Sequence, residues 1–113
     1  MPLCFTYNDR GDTIRLVLTS GAGEVNGTLV YALAEKDRNY GTLRGAWRGD
    51  TLLADYTFNS EGSQSQREVA FLRRGRSLVD GYGPLTDDGR AFTSRGSLKF
   101  PGDLPLAATA CSE

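Results

Sequence analysis

Short runs of alternating apolar and polar residues, cut at close intervals by glycine-bearing turn signals, constrain this chain more than any other feature. Arg10-Gly11-Asp12, Gly21-Ala22-Gly23, Asn26-Gly27, Gly49-Asp50, Arg74-Gly75-Arg76, Asp88-Gly89 and Arg95-Gly96 separate runs rich in β-branched and aromatic residues. A period of 2 in such runs is the mark of a half-buried strand. Thr13 to Thr19 sets Ile14, Leu16 and Leu18 against Arg15, Val17 and Thr19, and Val25 to Ala34 sets Leu29, Tyr31 and Leu33 against Val30 and Ala32. Tyr40 to Arg48 puts Leu43 and Trp47 with Gly41 and Gly45 on one face, where small residues beside an indole suit a strongly curved strand. Leu52 to Phe58 places Leu52, Ala54, Tyr56 and Phe58 opposite Leu53, Asp55 and Thr57, and Arg67 to Arg73 places Val69 and Phe71 opposite Glu68, Ala70 and Leu72.

A first strand around Leu3 to Tyr7 and later ones at Leu78 to Gly83, Ala91 to Thr93 and Ser97 to Phe100 complete the series. With no helical crossover between them, roughly eight or nine such strands form antiparallel hairpins. The expected fold is all-β, an antiparallel meander of about eight strands closed into a small calycin-like β-barrel, with sandwich closure as the other possibility. Residues 1–113 make one domain, in which Pro101 to Pro105 opens a C-terminal tail, 101–113, unable to continue a ladder. Arg10-Gly11-Asp12-Thr13-Ile14 recurs as Arg48-Gly49-Asp50-Thr51-Leu52, which predicts equivalent turns launching equivalent strands. Asn26-Gly27-Thr28 matches a glycan acceptor, but Asn-Gly is also the strongest hairpin-turn signal and is read as a turn.

Composition narrows function mainly by exclusion. Thirteen Lys plus Arg against fourteen Asp plus Glu leave a net charge of -1, so no overall field draws the chain to nucleic acid. The basic cluster Arg73-Arg74-Gly75-Arg76 reads as a hairpin tip rather than a polyanion contact. The chain has no histidine, which removes the commonest general base and the commonest zinc ligand. A non-enzymatic protein without metal or cofactor is expected.

Cys4 and Cys111 are the only cysteines and lie at opposite ends of the chain. That spacing suits neither a redox nor a metal motif, and reads as a disulfide tying the termini together in an oxidising compartment. The rival reading makes Cys4 a lipid-bearing cysteine, against which Leu3 argues, since such cleavage sites want a small residue there. Met1-Pro2 reads as a start standing in place of a removed export segment. No run approaches the roughly 18 apolar residues of a membrane span, so a soluble domain is expected, held at a membrane only through a lipid anchor it lacks.

Three places could carry a site. Glu35-Lys36-Asp37-Arg38-Asn39 sits between two strand-like runs, as either a solvated hairpin tip or a charged recognition tip at a barrel mouth. Ser60 and Glu61 open the polar stretch Ser60-Glu61-Gly62-Ser63-Gln64-Ser65-Gln66, which is either a mobile connector or a binding loop. The third lies on the strands, where Asp55 and Tyr56, Arg67 and Glu68, and Asp80 and Tyr82 put ionisable groups into neighbouring β-runs. An Asp55 to Arg67 cross-strand pair is the plain account. The sharper one is an interior Glu68 orienting a polar or cationic ligand stacked on Tyr31, Trp47 and Tyr56, with Arg67 beside it.

The segments "YALAEKDRNYGT", "GDTLLADYTFNSEG" and "REVAFL", lying between an early and a late cysteine, resemble a family of uncharacterised small bacterial envelope lipoproteins and exported proteins. The resemblance runs from about Cys4 to Cys111 and carries no reaction or ligand. It implies export to the periplasm or cell envelope, strengthens the pairing of the two cysteines, and draws attention to Glu35, Lys36, Asp37, Asn39, Ser60, Glu61, Gly62, Arg67 and Glu68. Two functions are open at this point: an envelope domain that holds a small ligand in its barrel, or a filled barrel that meets an envelope protein through charged loop tips.

Overall fold

The computed structural model describes residues 2–21, 23–34, 38–102 and 104–111. Eight strands, β1 (Leu3–Asp9), β2 (Asp12–Ser20), β3 (Val25–Ala32), β4 (Arg38–Arg48), β5 (Thr51–Ser60), β6 (Ser63–Arg74), β7 (Ser77–Asp80) and β8 (Leu106–Thr109), close in sequence order into an antiparallel barrel. The only helical piece among the described residues is a single 3₁₀ turn, Arg95–Ser97.

The alternation read from the sequence decides which side chains fill the barrel. Ile14, Leu16, Leu29, Leu52, Tyr56, Phe71 and Leu78 point inward and are essentially inaccessible. Eight strands leave an interior about wide enough for side chains to fill, and these residues pack within it. Because strands run alternately up and down, the β1–β2, β3–β4 and β5–β6 connections share one end of the barrel. The β2–β3, β4–β5 and β6–β7 connections share the other, with the start of β1 and the end of β8. Cys4 and Cys111 are joined there, their Cα atoms 5.3 Å apart. This is the disulfide end.

Gly41 and Gly45 sit where β4 crosses β5 so closely that a Cβ would strike the carbonyls of Thr57 and Leu53. The curvature expected beside Trp47 is present, and glycine is what permits it.

Several expectations need correction. Asn26 and Gly27 lie inside β3, opposite Thr19 and Leu18, and the chain turns earlier, where the Gly21 amide donates to the Glu24 carbonyl. Gly27 is small because β3 passes over the Val17 carbonyl, so close approach rather than turn geometry explains it. The repeated Arg-Gly-Asp-Thr segments make different turns: Asp9 pairs with Asp12 around Arg10-Gly11, whereas Arg48 pairs with Thr51 around Gly49-Asp50. The glycine is thus second in one turn and first in the other, and the two are shifted by one residue.

Ala91 to Thr93 and Ser97 to Phe100 are not strands. β7 stops at Asp80, and residues 81–102 make an excursion whose two legs touch through isolated bridges at Tyr82 and Lys99 and at Leu85 and Phe92. The ladder then resumes beyond the prolines. Inside the segment expected to be a tail, β8 pairs with both β7 and β1 and closes the barrel.

Candidate functional site

At the end opposite the disulfide, four polar-tipped side chains converge on the mouth of the barrel. Tyr31 on β3 donates its hydroxyl hydrogen bond to the Asp80 carboxylate at the end of β7, over 3.0 Å. Tyr56 on β5 donates to the Leu29 carbonyl at 2.7 Å. The two rings meet edge to face with centroids 6.2 Å apart, and Tyr56 stacks on Phe58 at 4.8 Å. Arg67 on β6 is opposite Tyr56 in the register and half-buried, and its charge bears on both tyrosines and on Asp80.

Asp80 is the buried acid of this group, with 8% of its surface exposed. Burial pushes its carboxyl up to about 6, against the opposing pull of the Tyr31 hydroxyl, the Arg67 charge and the Gly81 amide. Desolvation also raises Tyr31 and Tyr56 well above the usual phenol range. Both phenols therefore stay protonated hydrogen-bond donors, committed to partners within the protein.

A cleft of about 70 Å³ beside this group is walled by Arg67, Val69, Asp80, Tyr82, Leu85 and Phe92, between β6 and the 81–102 excursion. That is room for one or two waters and not for a metabolite. A much larger concavity, about 590 Å³, lies on the outside of the barrel, lined by Glu24, Arg44, Arg48, Asp55 and Glu68 among others. There the Arg44 guanidinium bonds the Glu24 carboxylate at 2.7 Å and holds its carboxyl below the usual range.

The residues expected to form one interior site are thus divided. Tyr31, Tyr56 and Arg67 come together at the mouth, but Trp47 is at the disulfide end, half-buried on the core, with the Arg73 guanidinium 4.5 Å above its ring. Glu68 faces outward. It is half-buried because the excursion crosses it: the Phe92 amide donates to its carboxylate at 3.0 Å, and its own amide donates to the Arg90 carbonyl at 2.7 Å. The expected Asp55 to Arg67 pair is replaced in the register by Asp55 with Glu68 outside and Tyr56 with Arg67 inside.

Of the charged tip, Arg38 and Asn39 belong to β4, opposite Ala32 and Tyr31, while Glu35, Lys36 and Asp37 lie outside the described residues. Ser60 and Glu61 are not a long loop. Ser60 pairs with Ser63 across a two-residue turn, Glu61-Gly62, in which both φ angles are positive, so the polar stretch after it is strand. This hairpin and the β3–β4 connection share the end where Asp80 lies. The basic cluster is a hairpin tip, with Arg73 on Trp47 and Arg74 bonded to the Phe100 carbonyl.

Asp80 is the site residue that sequence reading left out of the constellation. Its signal was present, since Asp80 shares parity with Leu78, and an acid in step with a core leucine points inward. Among the described residues there is no group of three or more His, Cys, Asp or Glu placed to hold a metal ion. The chain matches no family model, no curated protein and no solved structure.

Proposed function

We propose that this chain is a non-enzymatic, exported envelope domain that works by contact with protein, through the end of the barrel bearing the β3–β4 connection and the β5–β6 hairpin. The observation that carries this reading is the core that the described side chains build inside the barrel. Tyr56, Phe71, Leu16 and Leu29 occupy the space a ligand would need, and both tyrosine hydroxyls are bonded to partners in the protein. The small-ligand alternative required an open interior beside Trp47, and that indole packs on the core beneath Arg73. The disulfide supports export, since such bonds persist in oxidising compartments.

Titration of the oxidised chain with the apolar dye N-phenylnaphthylamine tests the reading. A filled barrel gives no saturable enhancement of dye fluorescence. One-to-one uptake that is lost when Leu29→Trp narrows the interior would return the protein to the ligand-binding class.

A further inference from the structure

The barrel wall is incomplete along one edge. β7 pairs with β6 only over Phe71–Arg74, after which the Gly81 amide reaches the Ala70 carbonyl and the Glu68 amide the Arg90 carbonyl. From there to the Glu61-Gly62 turn, β6 is paired with β5 on one side alone. Direction along the strand follows from those contacts: the even-numbered residues aim their backbone groups at the β7 side, as Glu68 and Ala70 show. Gln64 and Gln66 therefore present N–H and C=O groups outward, and among the described residues neither meets a backbone partner on that side.

Bare strand edges invite pairing with other chains, and natural proteins blunt them with lysine, proline, a bulge or a cover. Ser63-Gln64-Ser65-Gln66 has no charge and no proline, and all four residues are exposed. A second open edge, Tyr7–Asp9 of β1 beyond its pairing with β8, is shorter and ends on an acid. The same strand is covered by β7 over Phe71–Arg74, so a bare and uncharged stretch at its other end is the anomaly to explain.

We propose that two copies of the chain pair antiparallel along this edge of β6, about a two-fold axis at Ser65. In that register Gln64 of one copy is a hydrogen-bonded pair with Gln66 of the other, twice, and Ser65 faces Ser65. The free groups are symmetric about Ser65 because the window is closed by the Glu61-Gly62 turn on one side and by the Glu68 to Arg90 bond on the other. That symmetry makes the edge complementary to itself. A second copy also meets no like charge: the next pair out sets Ser63 against Arg67. The inference rests on the reading above in taking contact, not cargo, as the task of this end; dye uptake would overturn that reading without touching the dimer measurement.

The test is sedimentation equilibrium of the oxidised chain over a wide concentration range, combined with cysteine pairing. An interface this small belongs to the weak class, so the mass should rise from one protomer toward two only at high concentration. Ser65→Cys should form an intermolecular disulfide under mild oxidation many-fold faster than Gln64→Cys, whose counterpart in the other copy is offset by two residues along the strand. Gln66→Pro removes only an edge-facing N–H, a place where a strand tolerates proline, and should abolish association with the barrel intact. Should that variant misfold, the exposed pair Gln64→Lys with Gln66→Lys sets lysine against lysine twice and should do the same. A chain monomeric at every concentration, with equal trapping at positions 64 and 65, overturns the proposal and leaves the edge to a strand of another protein. A dimer that survives the lysine pair overturns it as well.

Discussion

At the disulfide end Trp47 lies beneath the Arg73 guanidinium and the Cys4–Cys111 bond ties the start of β1 to the segment after β8, whereas the opposite mouth is stopped by Tyr31, Tyr56, Arg67 and a buried aspartate. One closure is covalent and apolar with a cation laid over it. The other is a hydrogen-bonded network in which one member titrates near neutrality. Two ends of one eight-stranded barrel can thus hold the same core shut while responding to different conditions, the first to reductant and the second to pH.

The largest separation of the two should come from removing the covalent closure. Cys4→Ser with Cys111→Ser opens a loop spanning 107 positions of sequence. In the chain-entropy account this costs roughly 4 to 5 kcal/mol. Denaturant unfolding should show a loss of that size that is the same at pH 5 and pH 7. A loss that varied with pH would mean that the disulfide and Asp80 are coupled through β7 and β8, and the two ends would no longer be independent.

Asp80 should give the next effect, with a sign set by its burial. Its folded carboxyl titrates at about 6 against an ordinary 3.8, so the folded state binds this proton more tightly than the unfolded chain. The stability it contributes is complete below about pH 4 and is lost as pH rises through about 6, amounting to about 2 to 3 kcal/mol. Glu24 and Asp88, whose carboxyls lie below their usual range, act in the opposite sense at lower pH, so the comparison must be between wild type and Asp80→Asn at each pH. The variant should gain on wild type steadily from pH 4 to pH 7. Parallel curves would show that Asp80 reaches water more freely than its burial indicates.

Tyr31→Phe sharpens the same end. It deletes the hydroxyl that favours the charged carboxylate, so Asp80 should titrate still higher and the cost, about 1.5 to 3 kcal/mol for a hydrogen bond to a charged group, should fall mainly above pH 6. Carbon-detected NMR titration of the Asp80 carboxyl reads the direction. A downward move would mean that Arg67 closes onto the carboxylate once the phenol is gone.

How much of this was legible in the sequence differs between fold and site. Alternation in β2, β4, β5 and β6 assigned faces correctly, because a side-chain period of 2 is local. It failed where a long-range contact overrides a local signal: Asn26-Gly27 reads as a turn until β2 is seen to lie against Gly27, and β8 is hidden behind prolines that do end the preceding segment. The site departs from its sequence pattern for a related reason. Parity tells which way a residue points but not how high on the barrel it stands, so the sequence alone does not separate Trp47 from the tyrosines at the other end. The orientation of Glu68 is legible without the structure. With Val69 and Phe71 inside, the same alternation already sends Arg67 inward and Glu68 outward.

The smallest effect lies at Trp47. Arg73 is exposed, so its cation–π contact is worth about 0.5 to 1 kcal/mol, and Arg73→Ala should lower stability by no more than that. Spectroscopy should respond more than stability does, because the guanidinium covers the indole face from water. Trp47 emission should shift to the red and its quenching by iodide should change, with both readings independent of pH between 5 and 8. A transition centred near pH 6 would instead carry the influence of Asp80 from the far mouth through the core, since the chain has no histidine and Asp80 titrates at about 6. That result would join the two ends into one cooperative unit, whereas its absence keeps pH response confined to the end where the β6 edge is bare.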